Sequence, residues 1–148
     1  MIIDSKDSRE VLGLVDEYCA ARRHPSLPPF TVHTHTYKNW CGTPHSAKAG
    51  CYAIYTEDGR LIYIGKASVK SCVGNRIDCH LTQEKGADPD ETHRWYRRAP
   101  RLVQIIEVTE PFEAPSLEEF LQSRWPGYDQ LVRNPYADRM AAAKRQAA

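Results

Sequence analysis

Asp58 and Gly59 separate two short runs of strand-forming residues, Tyr52–Tyr55 and Leu61–Ile64. Glycine takes positive φ freely, so an Asp-Gly pair between apolar, β-branched and aromatic runs predicts an antiparallel hairpin. In that hairpin Tyr52, near the start of the first strand, and Tyr63, near the end of the second, come to the same end of the sheet. Downstream, Arg76 and His80 are spaced i, i+4, which sets both on one face of a helix. The stretch from Gly50 to His80 therefore gathers two phenols, a guanidinium and an imidazole from three elements.

The 148 residues suffice for one domain with a real core and terminal extensions. A formal net charge of +1 excludes a strongly basic coat, so any nucleic-acid contact has to come from a local patch. No apolar run approaches the ~20 residues that span a membrane. Met1-Ile2-Ile3 runs at once into charged residues, which does not read as a signal peptide. Five cysteines, an odd number without C-x-x-C spacing, argue against a disulfide framework and for a reduced cytoplasmic setting.

Asp4 to Arg23 reads as a helix, with Val11, Leu12, Leu14, Val15 and Tyr18 as its apolar stripe, Ser5 or Ser8 as cap, and Pro25 beyond its end. Phe30 to Tyr37 alternates as an edge strand with His33 and His35 on one face. Two histidines at i, i+2 can ligate a metal, but no third ligand lies near in sequence. Val73 to Gln83 reads as a helix whose buried stripe is Val73, Ile77 and Leu81, with Arg76, His80 and Gln83 along its edge. Cys72, Cys79 and His80 form only a loose group, where structural zinc wants two close pairs of ligands. Asp90 to Arg98 interleaves Arg94, Arg97 and Arg98 with Trp95 and Tyr96, a pattern suited to phosphate contact and base stacking. It equally suits an amphipathic helix with its arginines in water. Leu102 to Val108 is the best continuous strand and is expected at the centre of the sheet.

Ser116 to Trp125 reads as a helix that opens on a capping box of Ser116 and Glu119. Glu118 aligns instead with Leu121 and Trp125, on the edge of the packed face. A carboxylate there is partly desolvated and needs a partner, of which a metal ion is one. The overall pattern is α+β, a small mostly antiparallel sheet flanked by helices.

Gly50-Cys51-Tyr52, then Tyr63-Ile64-Gly65, then Arg76 and His80, resembles the GIY-YIG nuclease domain. The resemblance extends to Leu117-Glu118 with Pro126 behind it, and covers residues 50–134. It leaves residues 1–49 as an N-terminal helix and loop extension packed on the domain and 135–148 as a tail. It implies a three-stranded central sheet, to which the N-terminal helix and the Phe30–Tyr37 strand are additions. It further implies a metal-dependent endonuclease acting on nucleic acid, DNA foremost. The catalytic set would be Tyr52, Tyr63, Arg76, His80 and Glu118, with one Mg²⁺ or Mn²⁺ on Glu118. Tyr52 and Tyr63 would position the attacking water, Arg76 would lower the pKa of a tyrosine base and bind phosphoryl oxygens, and His80 would shuttle a proton or contact phosphate. Gly65, Lys66, Arg94, Arg97 and Arg98 would contact substrate. The asparagine that this family carries after the proline has no clear match, with Asp129 near its place and Asn134 late. Targeting would rest on a protein partner, a homo-oligomer, or recognition of a nucleic-acid structure rather than a sequence, since no second domain is visible. The alternative is a non-catalytic nucleic-acid-binding or protein-interaction module on the same fold.

Overall fold

The computed structural model describes residues 4–36, 45, 47–69, 71–74, 76, 100–126 and 143–147. Ser5 starts helix α1 (Lys6–Arg22) through a reciprocal capping box, its hydroxyl accepting from the Ser8 amide and its own amide donating to Ser8 Oγ. Asp7 in the first turn and Arg22 in the last complement the helix dipole. The start of α1 is also stapled to the hairpin. The Ser5 hydroxyl donates to the Gly59 carbonyl at 2.8 Å, and the Asp7 carboxylate accepts from the Leu61 amide at 2.7 Å.

The expected hairpin forms from β2 (Gly50–Tyr55) and β3 (Leu61–Ala67). Gly59 sits at φ 82°, the left-handed conformation its turn requires. With β1 (Thr31–Thr36) and β4 (Leu102–Glu107), these strands make one antiparallel sheet in the order β1-β4-β2-β3. The fourth strand is β1, the edge strand expected at Phe30–Tyr37, which pairs along its whole length with β4. β4 lies in the interior of the sheet, as its unbroken apolar run predicts.

One sheet face packs α1 and α2 (Glu113–Arg124) into a core of Val11, Val15, Tyr18, Ala53, Tyr55, Ile106, Leu117 and Leu121, among others. α2 begins three residues before the position expected from Ser116. Ser116 lies inside the helix and accepts a hydrogen bond from the Tyr18 hydroxyl at 3.0 Å, so the Ser116–Glu119 capping box does not form. A buried ion pair fixes the two helices together. Arg23 Nε and Nη2 reach the two oxygens of Glu113 at 2.7 and 3.3 Å, and Nη1 donates to the Pro28 carbonyl at 2.8 Å. The opposite sheet face holds a second core of Tyr52, Ile54, Ile62, Ala67, Val73, Val103 and Ile105. Among the described residues, no helix is long and apolar enough to cross a membrane.

Candidate active site

Hairpin register sets the two tyrosines side by side. Tyr52 faces Gly65 and Ile54 faces Tyr63, so Tyr52 and Tyr63 share the face opposite α1 and α2. Their ring centroids lie 6.0 Å apart at a tilt of 32°, and their hydroxyls are hydrogen-bonded. Gly65 is what lets the rings meet. A Cβ there would lie 2.5 Å from the Tyr52 ring carbon and hydroxyl and 2.6 Å from Tyr63 Cε1. Gly50 has a related reason, since a Cβ would strike the backbone carbonyl of Ile106.

The two phenols have different environments. Tyr52 is fully buried, whereas Tyr63 keeps partial exposure at the edge strand. Burial pushes the Tyr63 phenol up to about 12, and the Glu118 carboxylate pushes the same way. Arg76 and the hydrogen bond from Tyr52 act in the opposite direction and are outweighed. Arg76 does act downward on the Tyr63 pKa, as expected of it, but burial outweighs it. In this state Tyr63 is a neutral hydroxyl, because burial removes more stabilisation from the phenolate than one exposed guanidinium restores.

Glu118 comes to the same place from the other side of the sheet. Leu117 and Leu121 bury one face of α2, and Gln122, one turn beyond Glu118, donates to the Ile64 carbonyl at 3.0 Å. That bond draws the Glu118 side of the helix onto edge strand β3. The Glu118 carboxylate is half-buried, and burial raises its pKa against the opposing pull of Lys66 and Arg76. Among the described residues no hydrogen bond or ion pair closes on it. Arg76 stands at the start of a helical segment, exposed, its amide donating to the Cys72 carbonyl at 3.2 Å.

Tyr52, Tyr63, Gly65, Lys66, Arg76 and Glu118 therefore meet around β3. His80, Arg94, Arg97, Arg98, Asp129 and Asn134 lie outside the described residues, as does most of the expected Val73–Gln83 helix. Gln122 was legible only as a residue four positions after Glu118, and its bond to Ile64 depends on helix and strand being packed.

At the opposite edge of the sheet, His33 and His35 do have a third neighbour, in contrast to the expectation from sequence distance. His45 stacks on His33 with centroids 3.6 Å apart, and its Nδ1 lies 2.9 Å from His35 Nε2. His33 Nε2 pairs with Glu107 at 2.8 Å. These nitrogens are engaged with one another and with Glu107. Among the described residues, no group of three or more His, Cys, Asp or Glu is arranged to hold a metal ion.

Comparison of the chain with family models, with curated proteins and with solved structures finds no match.

Proposed function

We propose that this chain is a GIY-YIG-type endonuclease that hydrolyses phosphodiester bonds of nucleic acid, DNA foremost, with one Mg²⁺ or Mn²⁺. The observation that carries the reading is the meeting of Tyr63, Arg76 and Glu118 around one edge strand, with Tyr52 and Gly65 behind Tyr63. These groups come from separate elements, and each has the chemistry that phosphodiester hydrolysis asks for.

Glu118 suits a hard divalent ion. It is a half-buried oxygen donor with no direct partner among the described residues, and magnesium takes one or two carboxylates while keeping several waters. Bound there, the ion would supply Lewis-acid polarisation of the phosphoryl group. The Tyr63 hydroxyl, held by Tyr52, orients the attacking water. Its high pKa makes it a hydrogen-bonding positioner until a cation nearby stabilises the phenolate. Arg76 offers charge-assisted hydrogen bonds to non-bridging oxygens, and Lys66 adds positive charge on the Glu118 side of the strand. A cytoplasmic enzyme targeted by a partner or by self-association completes the reading.

Nicking of supercoiled plasmid at low salt with Mg²⁺ or Mn²⁺ tests it, run beside EDTA and Glu118→Gln. Cleavage by the wild type that both treatments abolish supports the assignment. Undiminished cleavage by Glu118→Gln overturns it. Absence of cleavage on plasmid, single strands, branched DNA and RNA, with a gel shift at low salt, favours the non-catalytic binding module instead.

A further inference from the structure

The histidine group at the β1 edge belongs to no step of the proposed chemistry, yet it is tied to the segment that carries Arg76. The His45 carbonyl accepts from the Lys48 amide at 3.2 Å, and the Lys48 carbonyl accepts from the Val73 amide at 3.0 Å. Val73 is fully buried and opens the helical turn on which Arg76 stands. The neighbouring Ala49 carbonyl accepts from the Val108 amide at 3.3 Å, beside β4. His45 and Lys48 thus bridge two anchors, the imidazole group on one side and Val73 on the other.

His45 itself holds φ at 63°, a conformation non-glycine residues adopt uncommonly. What offsets that cost is its ring, which stacks on His33 at an interplanar angle of 7° and hydrogen-bonds His35. Both contacts depend on protonation. The bond between His35 Nε2 and His45 Nδ1 needs one nitrogen to accept, so it cannot survive a proton on both rings. His33 Nε2 meanwhile pairs with the Glu107 carboxylate at 2.8 Å. Protons on both His33 and His45 would set two cations 3.6 Å apart, ring on ring. Among the described residues, the charged groups around the three rings are Glu107 on β4 and Lys48, 3.6 Å from that carboxylate.

The geometry points to a pH-sensitive latch in which neutral His35 and His45 hold the Lys48 segment, and with it the base of the Arg76 helix, and in which mild acid releases both. The direction of the His35 shift agrees. Burial first, then His45 and His33, lower its pKa from 6.5. An unfolded or released His35 therefore binds its proton at a higher pH than the latched one. The latched form loses ground as pH falls through about 6.5. Glu107 behaves oppositely. Its hydrogen bond from His33, with help from Lys48, lowers its pKa from 4.5, so it stays charged and keeps His33 in place through the same window.

Amide hydrogen exchange on the whole chain tests the latch without reference to any enzymatic activity. Protection factors, corrected for intrinsic rate, are read for Val73 and for Ile105 in the sheet interior between pH 7.5 and 5.0. Val73 protection is expected to fall on the order of tenfold relative to Ile105 in the wild type, and not at all in His45→Gln. Val73 protection that tracks Ile105 across the range overturns the proposal, as does an undiminished pH response in His45→Gln. Ile105 reports any global unfolding of that variant. In that event His33→Gln, which takes away the stacking ring and its pair with Glu107, is read by the same criteria.

Discussion

The two faces of the sheet are stocked differently. The face against α1 and α2 carries polar pairs that serve as fasteners: Arg23 with Glu113, Tyr18 with Ser116, and Tyr55 with Gln104 at 3.0 Å. Each joins two packed elements, and each is satisfied within the protein. The other face carries Tyr63, His33, His35 and Glu107, groups whose protonation is shifted or shared and which keep some exposure. Glu118 is the exception, rooted in the first face and felt by Tyr63 on the second around edge strand β3. The difference teaches that the first face holds the molecule together, and that the groups proposed for chemistry lie on the second face and at its seam at β3.

Glu118→Gln tests that division most sharply. On the nuclease reading it removes several kcal/mol of transition-state stabilisation, so cleavage falls on the order of 10³-fold. Stability moves the other way. Burial raises the Glu118 pKa, so the folded state pays for holding this carboxylate ionised once pH exceeds its folded pKa. Glutamine removes that cost at neutral pH, and Tm is expected to rise. A variant that loses both activity and Tm would make Glu118 another fastener.

Arg23→Ala is the converse. It leaves Glu113 buried without its partner, and the two side chains are only 4% and 12% exposed. Breaking such a pair costs about 3–5 kcal/mol, read as a lower midpoint in urea. Cleavage by the folded fraction should not change, because Arg23 touches nothing at the β3 seam. A change in the rate per folded molecule would break the division of labour between the faces.

Gly65→Ala strikes where the two phenols meet. The added methyl must displace the Tyr52 and Tyr63 rings, an overpacking worth about 1–3 kcal/mol. Both Tm and cleavage should drop. A loss of stability with full activity would mean that the placement of Tyr63 does not matter to the reaction.

How much of this was legible depends on how local each feature is. The β2–β3 hairpin, the Ser5 cap, the apolar stripe of α1 and the interior strand β4 follow from neighbours within a few residues, and each formed near its expected bounds. Tyr52, Tyr63 and Gly65 were legible for the same reason, since hairpin register alone brings them together. The start of α2 was misread because Ser116 is recruited by Tyr18, a residue 98 positions away. The direction of the Tyr63 shift was missed because burial, invisible to spacing, outweighs Arg76. His33 and His35 were legible as one strand face, but their partners were not, because β1 pairs with β4 and so carries His33 to Glu107, and His45 reaches them across ten residues.

The smallest effect separates the histidine edge from the β3 seam. Glu107→Gln removes a partly exposed pair with His33, worth on the order of 0.2–1 kcal/mol. The sign of its pH dependence is set by the lowered Glu107 pKa. The pair stabilises above 4.5, the ordinary value, and that contribution disappears as pH falls through the folded pKa below it. Wild type and variant should therefore differ in urea midpoint at pH 7 and converge in stronger acid. The loss at pH 7 should also leave cleavage unchanged, because Glu107 stands at the β1 side of the sheet and the groups proposed to react stand at β3. Should Glu107→Gln instead slow cleavage at pH 7 as much as it loosens Val73, the two edges would be coupled through the Lys48 carbonyl even when the latch is closed. The histidine group would then be part of the machinery that holds Arg76 at every pH, rather than a device that lets go in acid.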